Sequence, residues 1–488
     1  MSIPEPMPPA PPESEPTTAY PPRFRWLKRG TLAFVIAVLA LIGLRLWWGH
    51  MADRRLREMT DAAHARGEPF LPEDFDPAPV PDTQNAALTF KRAGDALVVN
   101  SQYMAVENAM LSNPLTASDV QAIGAMLATN GAALKLARQA ASQSKVDWGI
   151  RPRSPVMSTY PPPALLNDQR ALANIVGWAV LYDHAKENDR DAIQGVQDLL
   201  RQAGAVDAAG PCMVTHLVSL GLTGLVTNHI ERIAADLSVA PHAPTSAATP
   251  ATRQQVDELI AALLDEQSFR EGAVRSWHAE RMMELDAVEN MAAGVPDPLR
   301  EWWSIKPMFD LDGLRLARQL TQTARAAAQP SWPAARAFVP PPATDTSQMA
   351  QATRYISTML GPASSGSLTQ HFRALTDRRA AAIALAIRLY RLDHQDQYPA
   401  SLAELVPAYL PRVPADPMAA DGRAFAYKPR ANPPVIYSVG EDGKDDGGTS
   451  LPTEAPHGYR WQQPDAVYPL ARPSAAATQP SSQTQNDQ

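Results

Sequence analysis

Few stretches of this chain carry side chains spaced for chemistry. The richest is an acidic glycine loop, Gly440-Glu441-Asp442-Gly443-Lys444-Asp445-Asp446-Gly447-Gly448. Asp442, Asp445 and Asp446 offer hard carboxylate oxygens, Ser438 a hydroxyl, and the glycines let backbone carbonyls turn inward. Calcium takes six to eight such oxygens, so these four residues are the candidate calcium ligands. Their spacing is not that of an EF-hand, and Thr449 to Pro456 adds only Glu454. Ser142-Gln143-Ser144-Lys145 matches the Ser-x-x-Lys of serine acyl transfer, but Ser-Asp-Asn and Lys-Thr-Gly are absent, which leaves a polar helix end. His278 and Glu280 stand two apart and point to different helix faces. Asp310-Leu311-Asp312-Gly313 offers oxygens for a cation, yet it sits where a helix N-cap is expected. Gly361 to Gly366 holds two serines without the Gly-x-Ser-x-Gly elbow, and no glycine loop is built to cradle phosphate. Cys212 is the single cysteine, so no intramolecular disulfide forms; Val214, Leu217 and Val218 predict a buried thiol. An enzyme would need a pocket gathering His184, His216, His229 or His278 with carboxylates.

The elements that position these groups start from a membrane-length segment. Thr31 to Trp48 is apolar apart from Arg45 near its far end. Eighteen helical residues reach roughly 27 Å, close to the ~30 Å hydrocarbon core of a bilayer. Arg45 can snorkel to the interface, and Trp26, Trp47 and Trp48 suit the headgroup zones. No small-residue cleavage site follows the run, so it reads as an uncleaved anchor in membrane lipid. Arg23, Arg25, Lys28 and Arg29 before it nearly balance Arg54, Arg55 and Arg57 after it. The expected placement is a bacterial inner membrane, single-pass, with the C-terminal part extracytoplasmic.

Composition limits the remainder. The 488 residues include 45% hydrophobic residues and a formal net charge of −7, with a pI near 5.8. Nucleic acid is excluded as a main partner, because phosphate binding needs a clustered basic surface. The 47 prolines are grouped and divide the chain. Residues 1–30 read as a disordered tail, 31–48 as the transmembrane helix, and 49–84 as a juxtamembrane helix and Pro-rich linker. Residues 85–345 read as an all-α domain, 346–470 as a small α+β module, and 471–488 as a second disordered tail.

Helical periodicity dominates the middle. Ala86, Leu88, Phe90, Ala93 and Leu97 form one apolar stripe, and a helix opens at Thr116 to run to about Ser142. Lys145 to Pro163 is a loop tucked in by Trp148 and Tyr160. Asp168 to Glu187 and a second helix through Ala192, Val196 and Leu199 flank the turn Asn188-Asp189. This is an irregular helical hairpin resembling a tetratricopeptide unit without its signature. Pro211 to Leu237 is another helix. Thr249 reads as an N-cap with Pro250 behind it, and the pattern continues as one helix to Met291, ended by Gly294 and Pro296. A further helix covers Leu311 to Ala328.

The last hundred residues change character. A long helix through Phe372, Ile383 and Tyr390 ends at Asp393, and Ser401 and Glu404 suggest a capping box. Ala424 to Lys428 and Val435 to Val439 read as an antiparallel hairpin. Leu389-Tyr390-Arg391-Leu392-Asp393, Tyr398-Pro399, Leu410-Pro411, Asp416-Pro417, Tyr437-Ser438-Val439-Gly440 and Asp442-Gly443 follow in an order that resembles the C-terminal part of the major pseudopilin of type II secretion. The resemblance covers about residues 370–448. It implies a helix packed on a small sheet and a terminal loop that binds calcium. Two features depart from that family. More than three hundred residues separate the apolar segment from this module, and Gly30-Thr31-Leu32-Ala33-Phe34-Val35 lacks the glutamate of a pseudopilin processing site. Both speak against pilus-type assembly. The layout is similar to bacterial membrane-anchored proteins ending in this module, which implies no particular activity.

The fold expected is therefore mainly α: one transmembrane helix, an irregular helical hairpin domain and a pseudopilin-like α+β module. The function expected is a non-enzymatic envelope protein whose helical hairpins bind a protein partner. The alternative is a membrane-tethered hydrolase with a site dispersed over loops.

Overall fold

A computed structural model describes residues 24–109, 115–159, 161–210, 212–241, 248–291, 306–339, 355–449 and 460–471. Most of residues 1–30 and 471–488, together with Tyr160, Gly294, Pro296 and Glu454, lie outside them. The chain divides into two compact units, Met1–Arg55 and Leu56–Gln488.

The first unit carries most of α1 (Arg25–His64), a helix of 40 residues. Its most apolar 18-residue window has a mean hydropathy of 2.1, and none of it is buried. Leu32, Phe34 and Leu41 are each more than 60% exposed. Side chains of this kind gain roughly 1.5–3 kcal/mol each on leaving water. Among the described residues this is the one helix long and apolar enough to cross a membrane. It begins at Arg25, so residues 25–30, expected in the tail, are helical. The hydrogen bond from Lys28 N–H to Phe24 C=O already belongs to its first turn.

The second unit is a stack of helices. In chain order they are α2 (Ala86–Asp95), α3 (Ser101–Ala109), α4 (Ala117–Thr129), α5 (Gly131–Ala141), α6 (Pro163–Ala185), α7 (Asp189–Asp207) and α8 (Met213–Ile233). They continue with α9 (Arg253–Leu264), α10 (Gln267–Met291), α11 (Lys306–Ala327), α12 (Trp332–Arg336) and α13 (Tyr355–Asp393). The α6–α7 hairpin forms as its periodicity requires. Leu172, Ile175 and Val176 on one helix and Ile193, Val196 and Leu199 on the other are all buried. A Cβ at Gly195 would meet Val180 Cγ2 at 2.8 Å, so glycine is what allows the two helices to approach.

Four expected helix boundaries move, the first three for a tertiary reason. The helix expected from Thr116 to Ser142 breaks at Asn130, which is fully buried. Its side chain accepts from Val98 N–H at 2.8 Å and donates to Val98 C=O, which draws the chain out of register. The N-cap expected at Thr249 lies at Thr252, in a reciprocal capping box with Gln255. Thr249 instead pairs its backbone with Glu187 and Arg190. The single helix expected through Met291 is two, α9 and α10. Between them the Arg378 guanidinium takes the orphan carbonyls of Ala262, Leu263 and Asp265. Asp310 to Gly313, expected at an N-cap, lie inside α11.

α13, 39 residues long, joins the cores. Leu368, Phe372 and Leu375 pack with α10 and α11 in one cluster. Ile383, Leu385 and Leu389, nearer its end, pack with α6 to α9 in another. The second cluster also takes Ile436, Ala466 and Tyr468 of a three-stranded antiparallel sheet. The sheet orders β1 (Ala426–Lys428), β2 (Val435–Ser438) and β3 (Ala466–Pro469), with Tyr427 opposite Ile436 and Ile436 opposite Tyr468. The hairpin was legible in the sequence; β3 was not. The boundary expected at 345/346 lies outside the described residues. The Ser401 turn is a single 3₁₀ turn, Leu402–Leu405, and the serine side chain makes no capping bond.

Candidate functional site

The four histidines that could have marked an active site are held in separate places. His184, at the end of α6, lies between two carboxylates. Its Nδ1 is 2.6 Å from Asp189 Oδ1 and its Nε2 is 3.3 Å from Asp236 Oδ1. Although burial opposes the charged form, hydrogen bonds to both aspartates raise its pKa to about 9. The other oxygen of Asp189 accepts from Ser238 N–H at 2.6 Å. The imidazolium therefore ties the α6–α7 turn to the chain leaving α8.

His229, on α8, is buried against Gly177 of α6, with neither ring nitrogen hydrogen-bonded. Burial pushes its pKa down to about 3. His278 and Glu280 face opposite ways, as their spacing demands. Burial first, and then the charge of Arg281, takes His278 down to about 4. Glu280 instead accepts from Met213 N–H at 3.4 Å. Arg281 is fully buried. It donates to Pro69 C=O at 2.5 Å and to Thr321 Oγ1 at 2.9 Å, and lies 4.5 Å from the centre of the Phe70 ring. It pins residues 69–70 onto α10 and α11.

His216 belongs to a different group, assembled from four helices. Its Nδ1 is 2.7 Å from Oδ1 of Asp207, the last residue of α7. Its ring lies 5.7 Å from that of His371 on α13 and 6.0 Å from that of Phe269 on α10. Phe269 in turn stacks on His371 at 4.9 Å. Gly272 leaves the room that Asp207 occupies, because a Cβ there would collide with its carboxylate. Sequence reading passed over His371. The available signal was a histidine between Leu368 and Leu375 on an apolar stripe, where packing alone calls for a hydrophobic side chain.

The acidic glycine loop does not converge. Ser438 is buried and donates to Asp416 Oδ1 at 2.8 Å, while Asp416 Oδ2 accepts from Val439 N–H. Asp445 accepts from the Tyr437 hydroxyl and Gly447 N–H, and Asp442 from Lys444 N–H. The backbone N–H groups of Asp446 and Gly448 turn instead to Asp465, which sequence reading did not consider. Among the described residues no three His, Cys, Asp or Glu side chains are grouped to hold a metal ion. The Ser438, Asp442 and Asp445 side chains make local turn and sheet-end hydrogen bonds.

Ser142 donates to Gln139 C=O at 2.7 Å and closes α5. Cys212 is buried, with Sγ 3.6 Å from Thr215 Oγ1. A polar cleft of about 470 Å³ lies between α5, α7 and α9. Arg138, Arg190, Arg201, Asp191, Asp198 and Gln255 line it. Arg138 bridges Asp191 and Asp198 across its floor. Compared with protein-family models, curated proteins and solved structures, the chain finds no match.

Proposed function

We propose that this chain is a non-enzymatic, membrane-anchored envelope protein of the bacterial inner membrane, acting as a scaffold or protein-interaction component. One observation carries the reading: a helix whose membrane-length apolar window is wholly exposed precedes a large helical unit. The wide polar cleft of the helical unit supports a protein partner there, since irregular helical hairpins present concave surfaces to partners. The order of sequence motifs from Leu389 to Gly443, which resembles that of the major pseudopilin, supports an envelope role for the terminal module. The hydrolase alternative needs a nucleophile and base meeting at a cavity. Ser142 lines the cleft but gives its hydroxyl proton to Gln139 C=O, and the other lining residues supply ion pairs and amides.

The test is fractionation combined with reporter fusion. The full chain should sediment with membranes and resist carbonate extraction, and a chain beginning at Leu56 should appear in the soluble fraction. Alkaline phosphatase fused after residue 470 should be active. A full-length chain released by carbonate, or an inactive phosphatase paired with an active cytoplasmic reporter, overturns the anchoring or the orientation respectively.

A further inference from the structure

The polar cleft between α5, α7 and α9 holds more positive charge than its own carboxylates engage. Asp191 and Asp198 both go to one guanidinium. Arg138 lies 3.3 Å from Asp191 Oδ1 and 3.1 Å from Asp198 Oδ2. The two other arginines that line the cleft, Arg190 and Arg201, form no ion pair among the described residues. Arg201 gives one N–H to Ala141 C=O at 3.2 Å. The Arg190 guanidinium has no partner among the described residues, yet its main chain is fixed. Its N–H donates to Thr249 C=O at 3.1 Å, and its C=O accepts from Gln255 Nε2 at 3.3 Å.

The spacing of these two arginines selects what they can hold. They stand eleven positions apart on α7. Eleven helical residues rotate by about 20° beyond three full turns and advance roughly 16 Å. Both side chains therefore leave the same side of α7, at opposite ends of the cleft, with Arg138 between them. A phosphate or a short dicarboxylate reaches one of them but not both. An extended peptide reaches both, because its side chains i and i+4 share a face roughly 13 Å apart and two long arginine side chains absorb the difference. Between the cationic ends, the unused groups are acceptors. Gln194 donates its amide to Asp198 Oδ1 at 3.0 Å and leaves Oε1 without a partner among the described residues. Ser142 gives its proton to Gln139 C=O and keeps its lone pairs. Backbone N–H groups of a peptide suit these acceptors, and carboxylates suit the two ends through charge-assisted hydrogen bonds.

We propose that the cleft binds an extended acidic segment of a protein partner, with carboxylates four residues apart held by Arg190 and Arg201. The proposal rests on the reading of this cleft as a protein-binding surface and names the chemistry of the partner.

The test has two arms, both on the full chain. In detergent, the fluorescein-labelled peptide Gly-Glu-Thr-Val-Thr-Glu-Gly is titrated and followed by anisotropy. It should bind, and more weakly as salt is raised. Arg190→Ala and Arg201→Ala should each weaken it by about 10-fold, as should glutamine in place of either glutamate of the peptide. Both arginines are exposed, so the variants should keep the helical circular dichroism. Arg412→Ala, at an exposed arginine that does not line the cleft, should change nothing. In cells, benzoylphenylalanine in place of Gln139, one turn before Ser142, should cross-link to a protein segment that carries two acids four residues apart. Loss of both arginines should abolish that cross-link. Peptide binding indifferent to both arginines, or a cross-link to a protein segment without such acids, overturns this assignment and keeps the protein-interaction reading. No peptide binding together with no protein cross-link, or an anionic glycan cross-linked in place of a protein, overturns both.

Discussion

His184 and His371 are both enclosed by the same stack of helices, yet the protein treats them in opposite ways. His184 has a carboxylate at each nitrogen and is held as an imidazolium. His371 has an aromatic ring stacked on it, no hydrogen bond, and a pKa held well below the ordinary value by burial. Burial alone therefore does not decide the charge of a histidine here; the partners supplied by other helices do. The first site is complete in itself and reads as a fastener. The second leaves both ring nitrogens without a hydrogen-bond partner.

The contrast can be broken most forcefully at Asp189. Asp189→Ala removes the closer carboxylate from His184 and strips Ser238 N–H of its acceptor. Breaking a buried pair on one side costs about 3–5 kcal/mol, to be read from denaturant unfolding of the detergent-solubilised chain. A loss under ~1 kcal/mol would show that the clasp fastens nothing.

A pH scan sharpens the same contrast. The folded pKa of His184, about 9, lies above the ordinary 6.5. Its stabilisation is therefore fully present below pH 6.5 and is lost as pH rises through 9, roughly 3 kcal/mol in all. His184→Gln should remove that alkaline decline. If the variant keeps the same alkaline slope as the unmutated chain, another group is responsible.

The smallest effect is expected at the other histidine. At pH 7.5, His371→Leu should change stability by no more than ~1 kcal/mol, since no hydrogen bond is lost. Below pH 6.5 the unfolded chain takes up a proton at this histidine that the folded chain refuses, so stability falls with acid. His371→Leu should remove up to about 1.4 kcal/mol per pH unit from that slope. An unchanged acid limb would mean that His371 is protonated in the folded chain as well.

Neither environment could be read from the chain alone. Residue types marked His184 and His216 as worth watching, but Asp236 and His371 join them only through packing between distant helices. The acidic glycine loop shows the reverse. Its composition drew attention, while the fold turned Ser438 inward to Asp416 and gave Asp465, next to β3, the bonds to the loop backbone.

What the sequence determined by itself is whatever depends on neighbours within a few turns. The apolar run of α1, the α6–α7 hairpin, the end of α13 at Asp393 and the β1–β2 pairing follow from periodicity, chain breakers and turn residues acting locally. What only the tertiary structure decided rests on contacts between residues far apart in the chain. Asn130 breaks a helix because Val98, 32 positions away, takes its side chain. Arg460 finds Glu231 across 229 residues, and α13 serves two cores at once. No local pattern specifies such partners, because the energy that selects them is burial and hydrogen bonding gained only after the helices have packed.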